Sequence, residues 1–238
     1  MIKKLIAYEI QNSWRVFFLI YAVLLLIAAL VKAKLISLPD FFYVHLMFID
    51  LFLTIGILTN RFWQSIYGQE ANFLLTVPAN TAQLMASKAI NSLLWLLVSF
   101  VVMGMTFMWQ GNPLGKLMLN YITLSSIIIT GLMILSFLYT AISLAHHPFI
   151  QKDYLGMTVL FFIVLYSIFS LLQNTTEGLI PYTIRISMEG ITVNSAPGNM
   201  MIADNFTIVV NSAVWSIFMI FVNFTFTGYM IKRKLIVP

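Results

Sequence analysis

The chain has 238 residues, 61% of them hydrophobic and only 9% charged, and its mean hydropathy is +0.94. Charged residues supply about a quarter of an ordinary soluble domain, so this composition excludes a water-soluble globular fold and leaves a polytopic membrane protein. The net charge of +5 is carried by basic residues flanking apolar runs, which gives no reason to invoke nucleic acid, and the lack of cysteine removes disulfides, thiol nucleophiles and thiolate metal sites.

A membrane helix needs about 20 mostly apolar residues to cross roughly 30 Å of hydrocarbon. Six spans are predicted, at 16–33, 41–60, 89–110, 117–145, 154–173 and 207–231. The fold class is therefore an all-α membrane protein with one transmembrane domain over 1–238, since lipid cannot satisfy open sheet edges and no barrel-type alternation is present. Before the first span, Met1 to Arg15 is too polar for a signal-peptide core and is followed by no small-residue cleavage site. It reads as an amphipathic helix in the headgroup plane, with Ile2, Ile6, Ile10 and Trp14 on one face and Lys4, Tyr8, Gln11 and Arg15 on another. The alternative is a cytoplasmic extension of the first span.

The second span carries Asp50, roughly 14 Å along the helix from its start. A carboxylate at that depth should face protein or water, or carry its proton. It reads either as a group lining a translocation pathway or as a hydrogen-bond partner of another span, through Thr123, Ser125 or Tyr139. His45 is a second pathway candidate, but it lies about 140° around the helix from Asp50 and cannot pair with it.

The link at 61–88 follows. Arg61 to Glu70 reads as a short polar and aromatic surface helix, Pro78 supplies a break, and Thr81 begins a helix leading into the third span. Phe62, Trp63, Tyr67, Phe73 and Leu74 make this link more apolar than solvation requires, which points to interfacial anchoring and to docking of a partner.

Gly111 to Lys116 has one residue too few between its glycines for a phosphate loop, lacks the following Ser or Thr, and reads as a turn. His146-His147 before Pro148 point to different helix faces and make a poor metal pair. No HExxH or Gly-x-Ser-x-Gly pattern occurs, so no catalytic residue, metal site or bound cofactor is read for the chain. In the link at 174–206, alternating Tyr182 to Ser187 and Ile191 to Ser195 flank Met188-Glu189-Gly190; they read as a small hairpin or as interfacial helices. Three glycosylation sequons, at Asn174, Asn205 and Asn223, carry no information.

With the N-terminus inside, nine of the 13 Lys and Arg residues fall on one side. They are Lys3, Lys4, Arg15, Arg61, Lys88, Lys152, Lys232, Arg233 and Lys234; Lys32, Lys34, Lys116 and Arg185 fall on the other. The bias predicts cytoplasmic termini, a cytoplasmic link at 61–88 and an extracellular loop at 174–206.

Arg61-Phe62-Trp63, Glu70, Leu75-Thr76-Val77-Pro78 and Ser87-Lys88 leading to Trp95 form a pattern. It resembles the membrane subunits of ABC-2-type bacterial exporters, and six spans, a large last outer loop and a basic tail extend the resemblance over the whole chain. Phe73 and Asn72 depart from the Tyr and Gly of many relatives. The resemblance implies a plasma-membrane permease, with a second copy or a homologous permease beside it. It also implies a separate cytoplasmic ATPase that binds ATP and Mg and receives the coupling link through Arg61, Phe62, Trp63, Tyr67, Glu70, Phe73, Leu74 and Pro78. The expected cargo is an amphipathic peptide or a hydrophobic small molecule, exported by alternating access. The alternatives are a proton-coupled carrier using Asp50 and a non-transporting immunity or scaffold protein.

Overall fold

The computed structural model describes residues 2–35, 40–68, 70–71, 80–111, 114–147, 153–176, 183–187, 190–194 and 205–236. Its elements are α1 (Ile2–Lys32), α2 (Asp40–Ile66), α3 (Thr81–Trp109), α4 (Leu114–Met118), α5 (Tyr121–Ala145), α6 (Tyr154–Thr175), β1 (Thr183–Ser187), β2 (Gly190–Asn194), β3 (Asn205–Val209) and α7 (Val210–Ile236). Six of the helices are long and apolar enough to cross a membrane, namely α1, α2, α3, α5, α6 and α7. The chain is a multi-pass helical membrane protein.

Several boundaries differ from the sequence reading. No separate interfacial helix precedes the first span: α1 runs unbroken from Ile2, so the first residues continue that span. At 1.5 Å per residue, its 31 residues exceed the hydrocarbon thickness. Its buried stripe is Leu5, Glu9, Ser13, Phe17, Tyr21, Leu24 and Ala28, not the face of Ile2, Ile6, Ile10 and Trp14. The fourth span is shorter than expected, because Asn120 stops α4 and starts α5. Its side chain accepts from the Ile122 N–H at 3.0 Å while its carbonyl accepts from Leu124 at 2.9 Å, the geometry of a helix N-cap. The last span starts at Val210, since 205–209 form a strand.

The structure divides into two compact units, Met1–Leu58 with Ala86–Gly131, and Thr59–Met85 with Leu132–Pro238. In the first unit, Phe17 stacks on Trp95 at 4.1 Å between ring centroids. Lys32 caps the end of α3 by donating to the Trp109 carbonyl at 3.0 Å, a favourable place for a cation. Gly111 turns the chain with φ of 80°. At Gly115, a side chain would meet the Met108 nitrogen and the Gly104 carbonyl, at 2.5 and 2.7 Å from Cβ, so only glycine lets α4 fold onto α3.

In the second unit, Met133, Phe137, Phe169 and Met219 form an apolar cluster joining α5, α6 and α7. Below it, Thr140 and Thr227 lie 3.0 Å apart and Asn223 donates to Ser136 at 3.1 Å, so α5 and α7 satisfy each other's buried polar groups. Asp153, left-handed with φ of 56°, caps α6 by accepting from the Gly156 N–H. The link before α7 carries a three-stranded antiparallel sheet in the order β2-β1-β3. Its β1–β2 pairing, from Thr183 opposite Asn194 to Ser187 opposite Gly190, is the expected hairpin. The third strand, pairing Thr183 with Val209, was not expected.

Candidate functional site

The start of the link after the second span belongs to the second unit, which takes in Thr59–Met85. The surface helix expected from Arg61 is not separate: α2 continues to Ile66. The chain then folds back tightly. The Gly68 N–H donates to the Trp63 carbonyl at 3.0 Å, and a Cβ at Gly68 would stand 2.8 Å from the Gln64 Cα. Arg61 reaches across this turn to Glu70 at 3.1 Å, in an ion pair that stays partly solvated.

This geometry separates residues that adjacency in sequence had grouped. Phe62 is fully buried and stacked on Tyr139 at 4.1 Å, so it packs the unit and is no surface anchor. Trp63, about 100° further around the helix, is 41% exposed. Tyr67 lies one turn beyond Trp63 and mostly buried, and burial pushes its phenol pKa up. Phe73, Leu74 and Pro78 lie outside the described residues.

His146 is the residue that sequence reasoning missed here. Its ring stacks on Tyr67 at 4.2 Å and on Tyr154 at 4.6 Å. The Trp63 indole N–H donates to His146 Nε2 at 3.1 Å, and His146 Nδ1 lies 2.9 Å from the Ile142 carbonyl. An indole N–H can only donate. Nε2 is therefore the acceptor, and Nδ1 carries the proton given to Ile142: the neutral tautomer satisfies both nitrogens. His146 thus clasps the end of α2 to the end of α5 and the start of α6. The only sequence signal was the i, i+4 spacing of Trp63 and Tyr67, which places both on one face.

Two further polar sites lie in the first unit. Glu9 and Lys88, 4% and 2% exposed, form an ion pair at 2.5 Å. Glu9 is the single acidic residue of α1 and sits on its buried stripe. Asp50, 5% exposed, accepts at Oδ2 from the Ser99 hydroxyl, which lies 3.1 Å from Thr54 Oγ1. Its partner is thus on α3, and not Thr123, Ser125 or Tyr139: Ser125 donates to Ile122, and Tyr139 belongs to the Phe62 stack. His45 is exposed on another face of α2, as the helical angle required. Among the described residues, no group of three His, Cys, Asp or Glu is placed to hold a metal ion. No protein-family model, curated protein or solved structure matches this chain.

Proposed function

We propose that the chain is the permease subunit of an ATP-driven exporter of the ABC-2 type, working as a pair of permeases with a separate cytoplasmic ATPase. The cargo is an amphipathic or hydrophobic compound, first of all a peptide. The observation that supports the reading most is the link after α2. It carries the motif residues Arg61, Trp63, Tyr67 and Glu70 on a short, ion-paired extension of a membrane helix, clasped through His146 to two other helices. A push on such an extension moves α2, α5 and α6 together, which is what alternating access requires of a coupling element. The chain itself supplies no catalysis; ATP and Mg belong to the partner. The test is co-purification. Trp63→Ala with Leu74→Ala releases the ATPase while the permease stays folded, whereas retention of a full complement at unchanged turnover counts against the docking site.

Asp50 supports a second reading, a proton-coupled carrier, because an intramembrane carboxyl is a common translocation group. That reading requires transport in vesicles containing the chain and no ATPase.

A further inference from the structure

Three helices of the first unit meet around a carboxyl group with unmet bonding capacity. Asp50 on α2, Ser99 on α3 and Tyr21 on α1 are 5%, 1% and 9% exposed, and Thr54 on α2 is 0% exposed. Ser99 donates to Oδ2 and itself lies 3.1 Å from Thr54 Oγ1, but Asp50 Oδ1 has no hydrogen-bond partner. The Tyr21 hydroxyl is within interaction range of Asp50 and of the Ser99 hydroxyl, but it makes no hydrogen bond of full geometry. Two buried oxygens of this cluster thus lack a well-formed hydrogen bond, where native proteins pair such groups.

No basic group among the described residues forms an ion pair with the carboxylate. Among the described residues the ion pairs are Arg61–Glu70 and Lys88–Glu9. The titratable group facing Asp50 from α1 is Tyr21; Glu9, twelve residues earlier and so roughly 18 Å along the helix, is already matched by Lys88. On α2 itself, His45 is exposed on a different face. A charge buried at this depth needs a compensating charge, and the ligand set, one carboxylate and three hydroxyls, is all oxygen, which suits a hard cation.

We propose that Asp50, Ser99, Thr54 and Tyr21 form a binding site for one monovalent cation, a proton or a sodium ion, held between α1, α2 and α3. A sodium ion takes Asp50 Oδ1 and the hydroxyl oxygens as ligands. A proton instead sits on the carboxyl group, which then donates to Ser99 and reverses the direction of that bond.

The test uses the purified full-length chain and involves no ATPase, so its failure leaves the reading of the coupling link untouched. Thermal unfolding is followed in detergent at constant ionic strength, with sodium exchanged for choline and pH varied from about 5 to 8, above the ordinary carboxyl range of about 4. The readout is the difference between wild type and Asp50→Asn, which keeps the shape and removes the charge. A sodium site gives a midpoint that rises with sodium at pH 8. A proton site gives one that rises as pH falls, with no preference for sodium. Either dependence disappears in Asp50→Asn and weakens in Ser99→Ala and Tyr21→Phe. A wild-type midpoint indifferent to both, or a dependence of full size in Asp50→Asn, overturns the proposal. Should Asp50→Asn not accumulate, an unaltered dependence in both Ser99→Ala and Tyr21→Phe overturns it equally.

Discussion

Trp63 and His146 show how one hydrogen bond fixes the state of a side chain. Because the indole N–H occupies Nε2, the imidazole is held neutral with its proton on Nδ1. Trp63→Phe keeps an aromatic ring but loses this bond, for a cost of about 1 kcal/mol; His146→Ala also loses both tyrosine stacks and costs more, and thermal unfolding of the purified variants orders the two. Tyr67 adds a pH signature. Burial raises its phenol pKa above the ordinary value, so the folded chain keeps a proton that the unfolded chain gives up near pH 10. That contribution is complete below about pH 10 and is lost as pH rises through the folded value; Tyr67→Phe removes the corresponding slope from an alkaline stability titration. The Glu9–Lys88 pair is buried on both sides, so removing one partner leaves an uncompensated charge. Glu9→Gln or Lys88→Met alone costs about 3–5 kcal/mol, while the double variant regains most of it. Equal losses in the single and double variants would show that the pair carries no coupling.

At the scale of elements, the end of α2 divides the packing residue Phe62 from Trp63, the residue proposed for docking. Phe62→Ala opens a cavity against Tyr139 and destabilises the chain by about 3–5 kcal/mol. Trp63→Ala leaves a partly exposed face without its anchor and weakens ATPase retention by about 1 kcal/mol or more; unfolding and pull-down measured together separate the two effects. The sequence showed that both residues are aromatic and could not show which one faces inward. In a helix that is apolar all round, hydropathy marks a span but has no contrast by which to choose its buried face. The same limit explains α1, where the apolar row of Ile2, Ile6 and Ile10 was legible while the buried row runs through Glu9 and Ser13. The number and order of the six spans were therefore readable, although the helices of the first and third begin 14 and eight residues before the expected spans, and Asp50 was recognisable by its cost in lipid. Its partner Ser99 was not, because contacts between spans depend on rotation and depth. His146 was likewise hidden, its cage being drawn from residues of three elements.

For the whole molecule, the distribution of Lys and Arg calls for cytoplasmic links at 61–88 and 146–153 and an external loop at 174–206. The cysteine-free chain allows a direct check. A cysteine replacing Ser187 reacts with an impermeant thiol reagent in intact cells, and one replacing Gln64 or His147 reacts only after the membrane is opened; the reverse pattern would invert the orientation. The central claim, that an ATPase drives the chain through the link after α2, is tested by reconstitution. The chain and the proposed ATPase are placed in vesicles, and movement of a fluorescent amphipathic peptide is followed with and without ATP. The account predicts transport that requires both ATP and the ATPase, and that is lost in Trp63→Ala with Leu74→Ala. Undiminished transport by the permease alone, driven by a pH gradient, would contradict it.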